Sequence, residues 1–138
     1  MYDQKLDGKE TMVKPEKLIA LALSVRGKAY APYSGFAVGA ALLTQSSAIY
    51  TGCNVENASY GLSVCAERVA LFKALSDGER KFVALAVVAD TENYCSPCGA
   101  CRQVIAEFGS QIKIYMANRN GDYQETTIAE LLPAAFTL

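Results

Sequence analysis

The run Phe82-Val83-Ala84-Leu85-Ala86-Val87-Val88-Ala89 contains no polar side chain. A strand with one face in water alternates apolar and polar residues, so a run without alternation needs cover on both faces. It predicts a strand buried in the middle of a sheet. The flanking patterns supply the cover. Pro15, suited to a first helical turn, precedes Leu18, Ile19, Leu21, Ala22 and Val25 at helical spacing, which predicts an amphipathic helix from residue 15 to about residue 30, ended by Pro32-Tyr33-Ser34-Gly35. Phe36 to Leu43 and Ala48 to Thr51, separated by Gln45-Ser46-Ser47, read as a hairpin. A helix is expected from near Cys65 through Leu75, closed by Asp77-Gly78, and a second from Cys98 to about Phe108, ended by Gly109. Ile112 to Met116 reads as a further buried strand, Asn120-Gly121 as a turn, and Thr127 to Leu132 as a short helix stopped by Pro133. Strands alternating with helices give an α/β layered domain. With 138 residues there is room for one such domain, residues 14–138, preceded by a polar, aperiodic tail over residues 1–13.

Charge narrows the partners. The 13 Lys and Arg residues are scattered and the net charge is −1, so the basic stripe that nucleic acid requires is missing. A small, uncharged partner is expected. Asp3, Lys5, Asp7, Lys9 and Glu10 stand where a signal peptide would need an apolar stretch, and no run of about 18 apolar residues occurs, which points to a cytoplasmic protein without a membrane partner. The five cysteines suit a reducing compartment and a metal better than a disulfide framework. Histidine is absent. Acid/base work near neutral pH then falls to a carboxylate of shifted pKa, a thiol or bound water.

Cys98 and Cys101, two residues apart, can grip one metal from a single helical turn, and Cys65 offers a third thiolate. Three protein ligands leave one tetrahedral place open, as in catalytic zinc sites, whereas structural sites close with four. Glu67, two residues beyond Cys65, is placed to move protons beside the metal. Half of a structural zinc knuckle would need a second cysteine pair, which the sequence lacks; a thioredoxin-like redox pair or buried inert cysteines remain alternatives, and Glu67 alone would read as a solvated helix residue. Zinc with three thiolates carries a net negative charge. Two predicted helix starts, at Cys65 and Cys98, and hydrogen bonds from Arg68 or Arg102 can withdraw it. Cys53 and Cys95 read as packing or loop residues, since either would close the open position. Asn54 and Glu56, two apart on an extended segment, point the same way, yet taken alone they read sooner as polar groups of a surface turn than as a binding pair.

Phe36-Ala37-Val38-Gly39-Ala40-Ala41, Cys53-Asn54-Val55-Glu56-Asn57, Cys65-Ala66-Glu67 and Pro97-Cys98-x-x-Cys101 together resemble the small homotetrameric cytidine deaminases over about residues 15–136. The resemblance implies a three-layer α-β-α sandwich around a central mixed sheet of about five strands. It further implies hydrolytic deamination of cytidine and deoxycytidine in pyrimidine salvage. One zinc ion per subunit would be held by Cys65, Cys98 and Cys101, with Glu67 carrying protons between the attacking water, the ring nitrogen and departing ammonia. Asn54 and Glu56 would hold the sugar's 3′-hydroxyl, Phe36 and Ala66 would border the base, and Tyr60 and Phe136 would reach the site of a neighbouring subunit. Position 134, commonly glycine in that family, is alanine here. Deamination of an antibiotic nucleoside of the blasticidin S type, or a non-enzymatic zinc or redox module, stands as the alternative; a polynucleotide substrate is disfavoured by the charge.

Overall fold

In the computed structural model, which describes residues 13–138, the chain runs α1 (Pro15–Arg26), β1 (Val38–Thr44), β2 (Ile49–Cys53), a 3-10 turn (Tyr60–Leu62), α2 (Ala66–Ser76), β3 (Phe82–Ala89), α3 (Gly99–Ala106), β4 (Lys113–Ala117), β5 (Tyr123–Thr127) and α4 (Ile128–Leu131). The five strands form one sheet in the order β2-β1-β3-β4-β5. β3 pairs antiparallel with β1 and parallel with β4, and both outer pairs are antiparallel, so the sheet is mixed.

The apolar run that predicted a doubly covered strand occupies the central place. Its residues divide by parity: Ala84, Ala86 and Val88 pack with Leu18, Ile19 and Ala22 of α1, while Leu85, Val87 and Ala89 pack with Ala66, Ala70, Leu71 and Ala74 of α2 and with Ile105 of α3. Those two cores make three layers, with α1 on one face and α2, α3 and α4 on the other. Two glycines let the helices come close. A Cβ on Gly39 would lie 1.9 Å from the carbonyl oxygen of Ala22, and one on Gly52 would lie 2.5 Å from both the Ala66 oxygen and the Ala70 nitrogen. Gly52 thereby sets the first turn of α2, and Cys65 with it, directly against β2.

Three boundaries depart from the sequence reading. α1 stops at Arg26 rather than near residue 30, because the chain beyond Gly27 is captured by tertiary bonds: Tyr30 N–H donates to the Asn54 carbonyl, and Glu56 N–H donates to the Tyr30 carbonyl. β1 starts at Val38, two residues after Phe36. β5, Tyr-Gln-Glu-Thr-Thr, has no counterpart in the sequence reading, which begins the last helix at Thr127; as an edge strand it buries too little to show an apolar alternation. The expected loose tail lies outside the described residues apart from Val13, which packs against the α1-side core. No helix among the described residues is long and apolar enough to cross a membrane.

Candidate functional site

Cys65 is the N-cap of α2 and Cys98 the N-cap of α3, so the positive ends of two helices meet where the sulfurs gather. Cys101 lies in the first turn of α3, and its N–H donates to Cys98 Sγ at 3.5 Å. The three sulfurs all lie within 4.8 Å of one another, with Cys65 and Cys98 3.8 Å apart. Thiolates at tetrahedral positions on zinc, about 2.3 Å from the ion, stand about 3.8 Å apart. Spacing and donor chemistry therefore both fit a soft divalent ion. Among the described residues this is the one group of three or more potential ligands close enough to share a metal.

The electrostatics agree. Hydrogen bonding with Cys101 and then with Arg68 brings the Cys65 thiol down to about 5, and Arg68 Nη2 donates to its sulfur at 3.4 Å. Cys101 moves the other way, held well above the ordinary thiol range by its bond to Cys65 and by burial. Cys65 ionises readily while Cys101 beside it resists, so holding all the sulfurs as thiolates at once calls for a cation among them. Arg102 does not share this role. Its guanidinium donates to the Pro97 carbonyl at 2.8 Å, the Leu131 carbonyl at 2.9 Å and Ser96 Oγ at 2.6 Å, away from the sulfurs. Proximity in sequence to Cys101 was no guide to where so long a side chain would point.

Glu67 is no solvated helix residue: it is 4% exposed in the first turn of α2. Burial, helped by the negative charge of Cys65, pushes its carboxyl up to about 7. A group balanced between its two protonation states, beside the sulfur cluster, can accept and return a proton. Cys95 is buried nearby, its thiol pushed up to about 12 by burial and then by the charges of Glu67 and Cys65. Cys53 is half-buried at the end of β2.

The Asn54–Asn57 segment is joined to the approach to Cys65 through the pairing of Val55 with Val64. Asn54 and Glu56 both turn toward residues 33–38. The Asn54 amide accepts from Val38 N–H and donates to the Phe36 carbonyl, each at 2.8 Å. Glu56 Oε1 accepts from Tyr33 N–H at 3.0 Å and Ser34 N–H at 3.1 Å, while Oε2 accepts from the Ser34 hydroxyl at 2.5 Å. Asn57 serves its own turn, accepting from Ser59 N–H at 2.8 Å. A cavity of about 310 Å³ opens here, lined by Tyr33, Ser34, Glu56, Tyr60 and Ser63.

With this geometry in view, residues 12–117 match the family model for the cytidine and deoxycytidylate deaminase zinc-binding region. The chain belongs to that deaminase family. A cytidine deaminase of Sporosarcina psychrophila is 60% identical over 88% of this chain and 90% of its own length. The crystal structure of cytidine deaminase from Burkholderia pseudomallei, at 51% identity, superposes with a TM-score of 0.87 over 90% of this chain and all of that one. A blasticidin-S deaminase of Bacillus cereus is more distant, 31% identical over 72% of this chain and 76% of its own.

The deaminase family places the sulfur cluster in a zinc-binding region, and the chain is accordingly a zinc-dependent deaminase. Not every candidate residue joins that cluster within one chain. Phe36 is exposed at the loop before β1, while Tyr60 and Phe136 are 75% and 70% exposed. Ala66 is fully buried at the first position of α2. Sequence reading passed over Tyr33 and Ser34, seen only as part of a helix-ending turn; nothing local to them signals that their partner is a carboxylate 22 or 23 residues later.

Proposed function

We propose that the protein hydrolyses free cytidine and deoxycytidine to uridine and deoxyuridine with release of ammonia, as a step of pyrimidine salvage in the cytoplasm. The observation that carries this reading is a buried carboxyl, Glu67, set beside three converging sulfurs at two helix N-termini. Cys65, Cys98 and Cys101 hold one zinc ion per subunit. Bound zinc supplies the Lewis acidity by which water becomes a nucleophile near neutral pH. Glu67 takes the proton of the attacking water and passes it to the ring nitrogen next to the amine-bearing carbon, then takes the remaining proton of the added hydroxyl and delivers it to the amine, which leaves as ammonia as the carbon–nitrogen bond breaks. Arg68 and the two helix ends offset the negative charge of the sulfurs.

Asn54 and Glu56 hold the sugar's 3′-hydroxyl. Each has capacity left for it: Asn54 Nδ2 has a second hydrogen after donating to Phe36, and Glu56 Oε2 has a second lone pair after accepting from Ser34. Phe36 and Ala66 border the base. Tyr60 and Phe136, 75% and 70% exposed, reach a neighbour's site in a homotetramer, while Tyr60 also lines the cavity of its own chain. The scattered charge and net −1 suit a nucleoside rather than a polynucleotide, and five free cysteines suit a reducing compartment.

The test is loss of cytidine absorbance coupled to ammonia release, with and without a chelator, and again in Glu67→Gln. The chelated protein should be inactive, and Glu67→Gln should keep its zinc while losing about 10²–10⁴-fold in turnover. Full activity in Glu67→Gln, or turnover of blasticidin S in preference to cytidine, would sink the proposal.

A further inference from the structure

Ser34 lies in the turn between α1 and β1, outside every motif that drew attention in the sequence. Its hydroxyl has two partners. Phe36 N–H donates to Ser34 Oγ at 3.0 Å, and Ser34 Oγ stands 2.5 Å from Glu56 Oε2. An amide N–H can only donate and an ionised carboxylate can only accept, so the direction of the Ser34 proton is settled: it points at Glu56. Two backbone donors, Tyr33 N–H and Ser34 N–H, take the lone pairs of Oε1. A carboxylate offers about four acceptor positions. Three are filled by this turn, leaving one on Oε2 at the edge of the cavity that Ser34 and Glu56 both line.

Asn54 completes the net from the other side of Phe36. It accepts from Val38 N–H and donates to the Phe36 carbonyl, so the backbone on both sides of Phe36 is bonded by side chains of the Asn54–Glu56 pair, directly or through Ser34. Of the bonds that bring the Glu56 carboxyl below the usual carboxylate range, that from the Ser34 hydroxyl has the largest effect.

We propose that Ser34 is a positioning residue for substrate selection: its hydroxyl, aimed by the Phe36 amide, pins Glu56 so that a single lone pair faces the sugar and accepts from the 3′-hydroxyl. This rests on the reading of the protein as a nucleoside deaminase with Glu56 at the sugar. Without Ser34 the carboxylate keeps its charge and two backbone donors, yet Oε2 is free to turn to solvent. The loss should then fall on substrates that carry the hydroxyl and spare those that lack it.

The experiment compares kcat and KM for cytidine and 3′-deoxycytidine in the zinc-loaded wild type, Ser34→Ala and Ser34→Thr. Ser34→Ala should lose about tenfold in kcat/KM on cytidine, chiefly through KM, with less than about twofold change on 3′-deoxycytidine. Ser34→Thr, which keeps the hydroxyl, should recover most of the preference. Zinc content and melting temperature show whether each variant is folded; should Ser34→Ala fold poorly, Ser34→Cys, whose thiol is a weak donor, must show the same selective loss. Equal losses on both substrates, no loss on cytidine, or a threonine variant as impaired as alanine would overturn the role. A wild type that leaves cytidine untouched would instead overturn the nucleoside reading and this role with it.

Discussion

At Ala134 the backbone adopts φ of 54°, a region that L side chains other than asparagine and aspartate seldom occupy. The sequence raised this question when alanine stood where the family commonly has glycine, and the conformation answers it. Ala134→Gly should stabilise the protein by about 1 kcal/mol, seen as a rise of about 3 °C in melting temperature; no rise would mean that the strain is relieved elsewhere. The sulfur cluster and Glu67 were legible because their signal is spacing, which survives in one dimension. Ser34, Tyr33 and the Leu131 target of Arg102 were not, since those bonds cross 22, 23 and 29 residues and the last two each use a backbone atom, which carries no residue-type signature.

Among the elements, β3 announced itself through an unbroken apolar run and α1 through helical periodicity, while β5 did not, because an edge strand of tyrosine, glutamine, glutamate and threonine needs no apolar face. The end of α1 at Arg26 departs from the sequence pattern for a different reason. Residues beyond Gly27 are compatible with helix by composition and are drawn off by pairing of Tyr30 with Val55, a contact invisible to local pattern. Gly52 shows how an element's position reaches the chemistry. Its missing side chain admits the first turn of α2, whose N-cap is Cys65. The obstructing atoms are backbone and cannot swing aside. Gly52→Ala should therefore push α2 outward, destabilise by about 1–3 kcal/mol, and lower the zinc retained per chain; a lower urea midpoint with undiminished zinc would show that Cys65 follows the helix less closely than this.

For the molecule as a whole, the three-layer arrangement followed from one strand's need for cover on both faces. Assembly is a separate matter, since nothing in the apolar periodicity speaks of a second chain. Leu62, Tyr60 and Phe136, 68–75% exposed in the single chain, are large apolar groups without cover. The proposed tetramer would provide it, and light scattering should return four chain masses at micromolar concentration; a monomer with full activity would remove both the assembly and the sharing of sites. The C-terminal segment is meanwhile fastened to the start of α3 from residues adjoining Cys101: Arg102 grips the Leu131 carbonyl, and Gln103 donates to the Phe136 carbonyl at 3.1 Å. Because both handholds are main-chain oxygens, the path of that strap is indifferent to which side chains it displays. Divergence can thus exchange the residue presented at its tip while the course that delivers it stays put.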